Sequence, residues 1–151
     1  MRSLRSLLVI LSFSTSVLAA DSPFSGTWKF NPSKGRPTPP IPKSVVAHVD
    51  ADTESFKFSR RVSMTRINHY KSTYAAKFDG KEYPIVDDPY SDSVSLQRVS
   101  EHEIKFTIKK AGTVVSVLDV VVSKDGQTTT VNYTKYVQGK QEKGAAVYDK
   151  Q

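Results

Sequence analysis

From residue 21 onward the chain alternates apolar and polar residues, and this period of two constrains its fold more than any other feature. Ile104, Phe106 and Ile108, for example, are separated by lysine and threonine. Alternate side chains of a β-strand point to opposite faces of a sheet, so such a segment buries one face and exposes the other. No window of this region sustains the 3.6-residue period of an amphipathic helix. The pattern predicts an all-β protein.

Turn residues separate the alternating segments. Asp79-Gly80 and Asp125-Gly126 each predict a type I′ hairpin turn, which needs two positive φ angles. Ala111-Gly112 and Gly139-Lys140 mark two further reversals. Consecutive antiparallel strands form a meander, and closing a long meander removes its exposed edges. The sequence therefore predicts an antiparallel up-and-down β-barrel of about eight to ten strands. The predicted strands cover residues 25–30, 43–49, 55–64, 69–78, 81–86, 93–99, 103–110, 113–123, 127–137 and 141–149.

One segment lacks this alternation of apolar and polar residues. Residues 31–42, NPSKGRPTPPIP, contain five of the eight prolines of the chain. Proline donates no ladder hydrogen bond, which excludes a central strand, and a segment this rich in proline cannot form a helix. We predict an extended loop across one mouth of the barrel. The alternative is a spacer that touches no ligand.

The first twenty residues have the pattern of a secretory signal peptide. Arg2 and Arg5 precede the apolar residues 7–13, and small residues follow up to Ala20. We expect cleavage after Ala19 or Ala20; an uncleaved anchor is the alternative. The apolar run is shorter than the roughly 20 residues of a membrane span. This predicts one domain, residues 21–151, secreted or periplasmic and without stable membrane insertion.

Composition excludes several function classes. The chain has no cysteine, which rules out disulfide scaffolds, thiolate metal sites, cysteine nucleophiles and lipid attachment at cysteine. Its net charge is +7, and the two arginines of residues 1–20 leave +5 for the domain. These cations are spread along the chain, so no nucleic-acid partner is expected, although weak attraction to an anionic envelope or ligand is possible. The three histidines match no metal motif, and we expect no metal, cofactor or catalytic residues.

A resemblance to a known family begins at the first predicted strand. Gly26 and Trp28 form a Gly-x-Trp motif that resembles the signature of lipocalins and the wider calycin group. Residues 26–34, 74–84 and 147–151 are similar to small exported bacterial lipocalin-like proteins. The resemblance implies a fold and an export address, and no activity. It also implies that Trp28 closes one end of the barrel beneath a basic side chain, for which Arg98 and Lys135 are the candidates and Lys135 is favoured.

Arg60 is the first candidate ligand-binding residue. It has the same parity as Phe56, Phe58 and Val62, which predicts that it points into the barrel. A buried guanidinium must be paired, and a carboxylate ligand could pair it. The calycins that carry fatty acids use interior arginines in this way. Asp119 is the one acid within an otherwise apolar strand, and if it points outward an anionic ligand becomes the natural partner. Alternatively, a β-bulge turns Arg60 to solvent.

Further candidate ligand-binding residues share inward parities. Tyr70, Tyr74 and Tyr133 would offer apolar rings with hydroxyl groups to a small amphipathic ligand. Arg98 could bind the same ligand or cover Trp28. The alternative for the tyrosines is ordinary cross-strand packing.

The predicted function is binding of a small hydrophobic or amphipathic molecule, anionic molecules included. The alternatives are a structural or interaction module whose barrel is filled by its own side chains and, less favoured, an enzyme that uses Arg60 and the tyrosines. The volume of the lumen separates these hypotheses: a lumen above ~300 Å³ would favour binding or catalysis, and a solid barrel the structural module.

Overall fold

A computed structural model describes residues 21–151, which form ten strands and no helix. The predicted signal peptide, residues 1–20, lies outside the described residues. The sheet is antiparallel, with the strand order β4-β3-β2-β1-β10-β9-β8-β7-β6-β5. The prediction of an all-β, up-and-down barrel is confirmed. The strands are β1 (Gly26–Arg36), β2 (Ser44–Ala51), β3 (Ser55–Ser63), β4 (His69–Lys77), β5 (Tyr83–Pro84), β6 (Ser93–Ser100), β7 (Glu103–Lys110), β8 (Thr113–Val122), β9 (Thr128–Val137) and β10 (Lys140–Lys150).

Few backbone hydrogen bonds join the two edge strands of the sheet and close the barrel. β4 and β5 are the two ends of the sheet, and they meet where Thr73 and Val86 exchange N–H to C=O hydrogen bonds of 3.1 and 2.9 Å. We call this join the seam. The predicted hairpin at Asp79-Gly80 is wrong, because β4 and β5 form no hairpin. Asp79 instead accepts hydrogen bonds from the Lys81 N–H and the Tyr83 hydroxyl, which fixes a local turn.

The two-residue turns lie at other positions. Both residues of Ala111-Gly112 and of Gln138-Gly139 have positive φ angles, as a type I′ turn requires. At Asp125-Gly126 only the glycine has a positive φ, so the predicted type I′ turn there is wrong. The Asp125 carboxylate accepts hydrogen bonds from the Ser123 hydroxyl and the Gln127 N–H, and these stabilise a wider turn between β8 and β9.

The proline-rich segment belongs partly to a strand, which corrects the prediction of a loop over residues 31–42. The register between β1 and β10 shifts between Phe30 and Gly35, and β1 continues beyond this bulge to Arg36. The loop between β1 and β2 is therefore residues 37–43. The Thr38 N–H donates a 2.7 Å hydrogen bond to the Tyr133 hydroxyl oxygen, which ties this loop to β9.

Trp28 closes the end of the barrel where β1 begins. Its side chain is 4% exposed, and its indole N–H donates a 2.8 Å hydrogen bond to the Phe24 carbonyl oxygen. The Lys150 Nζ lies 5.3 Å from the centre of the indole ring. Gly26 makes room for this lysine, because a Cβ at that position would lie 2.7 Å from the Lys150 Cε. The prediction of a buried tryptophan beneath a late-strand cation is confirmed.

The identity of that cation was predicted wrongly. The Lys135 Nζ lies 4.7 Å from the ring of Tyr133, and Arg98 lies over the ring of Phe78 at 4.2 Å. Lys150 covers Trp28 because the pairing of β1 with β10 places these two residues directly opposite each other.

Two clusters of side chains fill the barrel. The larger surrounds Trp28 and Phe56, and the smaller surrounds Phe30 and Tyr133. Leu118, Val131 and Tyr148 pack against both clusters and join them into one core.

We expect Trp28→Ala to lower the free energy of unfolding by about 3–5 kcal/mol, because the indole is part of the core. A loss below about 1 kcal/mol in chemical denaturation would contradict this role.

The cation above Trp28 can be tested by fluorescence, because the chain has a single tryptophan. Lys150→Met removes the charge over the indole, so it should shift the emission maximum and cost about 0.5–1 kcal/mol of stability. Lys135→Met is the matched control and should leave the emission unchanged. Equal spectra for the two variants would contradict the assignment.

Candidate ligand cavity

The barrel encloses a cavity of about 120 Å³. Its wall is largely aromatic and aliphatic, and it includes the polar side chains of Arg60, Ser72, Ser91 and Thr129. The sheet supplies this wall because alternate residues of each strand point inward. The volume lies below the ~300 Å³ that would favour binding or catalysis, so the size of the lumen alone does not favour a drug-sized ligand. It is closer to the roughly 150 Å³ of an engineered protein cavity that binds benzene.

Arg60 points into the barrel, as its parity predicts. It lines the cavity, and its side chain keeps 32% of its surface accessible. Its Nη2 donates a 3.0 Å hydrogen bond to Oδ2 of Asp88, whose side chain is 1% exposed. Burial lowers the pKa of the Arg60 guanidinium, but Tyr70, Tyr148 and Asp88 outweigh burial and raise this pKa above its ordinary value.

Asp88 is the internal acid that sequence reasoning missed. The expectation that Asp119 or a ligand would balance Arg60 is corrected by this ion pair. Asp119 lies on the outer parity of β8, opposite Lys105 and Asn132. Asp88 comes from the loop after β5, and its Oδ1 also accepts a 2.8 Å hydrogen bond from the Tyr90 N–H. Since this loop follows no alternation, sequence parity gave no signal for the side-chain direction of Asp88.

Two residues of the cavity wall each have a buried polar atom without a hydrogen-bond partner within residues 21–151. One atom is the Arg60 Nε, a donor, and the other is the Thr129 hydroxyl. Buried polar groups in folded proteins are nearly always paired, and an unpaired one costs roughly 1–3 kcal/mol. Thr129 was also missed, although it shares the inward parity of Val131 and Tyr133. Arg60 and Thr129 are therefore the wall residues with unsatisfied hydrogen-bonding capacity.

Tyr74 also lines the cavity. Its ring stacks on Phe58 with a centroid separation of 4.8 Å. Burial raises the pKa of its phenol well above the ordinary value, and the nearby Arg60 opposes this rise only in part. Burial likewise raises the pKa of Tyr148. Both phenols therefore stay protonated at neutral pH and are poor proton-transfer groups.

The remaining predicted ligand-binding residues lie outside the cavity wall. Tyr70 packs edge-on against Tyr90, with ring centres 5.5 Å apart, and lies 5.9 Å from the Arg60 guanidinium carbon. Arg98 donates a hydrogen bond to the Asp52 carbonyl oxygen near the Trp28 end. Tyr133 holds the 37–43 loop, and its ring requires Gly144 opposite, where a Cβ would lie 2.4 Å from the hydroxyl. Of the five predicted residues, the cavity brings together Arg60 and Tyr74.

An open groove of about 600 Å³ lies on the outer side of the seam, between His48, Lys57 and Pro84. It is open to solvent, so a small ligand there would remain largely hydrated. Specific small-molecule sites bury most of the ligand surface. The cavity inside the barrel is less open to solvent and is for this reason the better candidate site.

No family model, curated protein or solved structure matches this chain. The likeness to lipocalins therefore stands on the barrel architecture and on the Gly26-x-Trp28 motif. Residues 21–151 contain no helix long and apolar enough to cross a membrane. The same residues contain no group of three or more potential metal ligands.

The ion pair gives a direct prediction about stability. Arg60→Met leaves the buried Asp88 carboxylate without its ion-pair partner, so the substitution should lower the free energy of unfolding by about 3 kcal/mol. The double variant Arg60→Met/Asp88→Leu should recover most of this loss, because a buried ion pair can be replaced by apolar residues at little cost. Chemical denaturation of both variants measures this. If the single variant unfolds like the wild type, Arg60 and Asp88 are not paired in solution.

Proposed function

We propose that this protein is an exported, lipocalin-like binding protein for a small, uncharged, ring-sized molecule that carries a hydrogen-bond acceptor. Export rests on the signal-like pattern of residues 1–20. Binding rests on the cavity, and one observation carries it: the Nε of Arg60, a residue of this largely apolar wall, is buried and has no acceptor within residues 21–151.

This observation favours binding over a barrel filled only for structural purposes. A core selected for stability alone gains nothing from an arginine Nε and a threonine hydroxyl that have no hydrogen-bond partner. An apolar molecule that accepts a hydrogen bond from the Arg60 Nε would satisfy this donor and also fill the cavity. The Thr129 hydroxyl offers the same molecule a second polar contact.

Charge balance favours a neutral ligand. Asp88 already neutralises Arg60, so a bound carboxylate would bring a net negative charge into a poorly solvated space. A carbonyl, hydroxyl or ether oxygen could use the free donor without this cost. The cavity volume of about 120 Å³ limits the ligand to the size of a single ring.

The ligand class can be tested with three probes that differ only at one group: toluene, benzyl alcohol and benzoate. We expect benzyl alcohol to bind roughly tenfold more tightly than toluene, since it can accept a hydrogen bond from a charged donor. We expect benzoate to bind more weakly than benzyl alcohol. Chemical-shift titration by NMR measures all three affinities.

The control for this titration compares neighbouring arginines. In Arg60→Met/Asp88→Leu the donor is gone, so toluene and benzyl alcohol should bind equally. Arg61→Met changes the next residue, which is exposed on the outer face, and should keep the wild-type preference. Absence of binding for all three probes would refute the proposal and favour the filled barrel.

A substitution at Thr129 separates stability from binding. Thr129→Val keeps the shape and removes a buried, unpaired hydroxyl, so it should raise the free energy of unfolding by up to about 1 kcal/mol. The same variant should bind benzyl alcohol no more tightly than the wild type. A loss of stability in thermal unfolding would show that the hydroxyl is already satisfied within the folded protein.

A further inference from the structure

The outer face of β1 to β4 carries a row of cations in one register. Lys29, Val46, Arg61 and Lys71 lie directly opposite one another on the four neighbouring strands. The three cations, which we call the basic row, are exposed, and none forms an ion pair within residues 21–151. Because neighbouring strands are about 4.8 Å apart, the row is roughly 14 Å long.

The basic row includes a like-charged cross-strand pair. Arg61 of β3 stands directly opposite Lys71 of β4, and like charges in this arrangement destabilise a sheet. Other outward cations stand opposite acids, as Lys57 of β3 does opposite Asp50 of β2 and Lys29 of the row itself opposite Asp149 of β10. The Arg61–Lys71 pair therefore works against folding, and an anionic partner would remove this repulsion.

An exposed apolar side chain lies in the turn of the hairpin formed by β3 and β4. Ile67 lies in the loop between β3 and β4, beside Arg66, and is 94% exposed. The loop is held by hydrogen bonds: Thr65 Oγ1 accepts from the N–H groups of Ile67 and Asn68, and the Arg66 carbonyl lies 2.8 Å from the His69 ring. The turn thus presents Ile67 to solvent in a fixed position.

We propose that the basic row and the Ile67 loop together bind the surface of an anionic lipid bilayer. The cations contact lipid phosphates, and Ile67 enters the boundary between headgroups and acyl chains. A second isoleucine, Ile41, is also exposed, in the loop between β1 and β2. A soluble polyanion would match the charges but offers no apolar phase to these side chains, so the observations favour a bilayer. The proposal is independent of what the cavity binds.

The experiment is sedimentation with vesicles of equimolar phosphatidylglycerol and phosphatidylcholine, with phosphatidylcholine alone as the uncharged reference. All variants are produced in the same host, so processing of residues 1–20 is the same in each. The contribution of these residues therefore cancels when the partition coefficient of a variant is divided by that of the wild type. We expect Arg61→Thr/Lys71→Thr to lower the partition coefficient on anionic vesicles at least tenfold. The control variant Lys105→Thr/Lys124→Thr makes the same change in net charge outside the basic row. It should lower the partition coefficient on anionic vesicles less than threefold.

The apolar contact has its own variants. Ile67→Ser should lower the partition coefficient roughly fivefold. Val99→Ser, at an exposed position near the turn between β6 and β7, is the control and should have no effect. Thermal unfolding should show that Arg61→Thr/Lys71→Thr is at least as stable as the wild type, since it removes the like-charged pair.

Three results would overturn the proposal. The first is equal binding of the wild type to anionic and uncharged vesicles. The second is an equal loss of binding in the two charge variants, which would indicate a response to net charge alone. The third is wild-type binding by Ile67→Ser, which would indicate electrostatic adsorption without apolar contact.

Discussion

A β-barrel must join the first and last edges of its sheet, and here that join depends on side chains. Between β4 and β5 the backbone contributes one bridge, Thr73 with Val86. The Arg60–Asp88 ion pair crosses the same seam, from β3 to the loop after β5, and Tyr70 packs on Tyr90 beside it. Arg60, one member of this pair, is also part of the cavity wall. The same side chain therefore contributes both to closure of the fold and to the polarity of the site.

Residue parity predicted what regular strands determine. It placed Arg60 inside and Trp28 in the core, and it located the strands closely enough to give the barrel. Parity could not identify Asp88, because an irregular loop at the seam sets the direction of its side chain. It also misplaced the cation over Trp28, because the register of β1 against β10 depends on closure of the whole sheet and not on any local pattern.

The volume of the cavity depends on the sizes of the inward side chains and on how the strands are staggered. Small inward side chains such as Ala47 leave space, and large ones such as Phe56 and Phe106 take it up. The balance depends on how strands are staggered around the barrel, which single-strand parity does not report. Turn chemistry was similarly incomplete. Asp-Gly signalled reversals correctly, but the Asp79 and Asp125 carboxylates bind nearby groups and select other turns.

The pairing of β1 with β10 has a consequence for how the chain acquires its structure. Contacts between residues as distant as Trp28 and Lys150 form slowly, because the long intervening chain must first be brought together. During synthesis the barrel cannot close until β10 has left the ribosome, and until then its strands keep unpaired edges. This order of assembly postpones the final fold until the whole barrel sequence has been made.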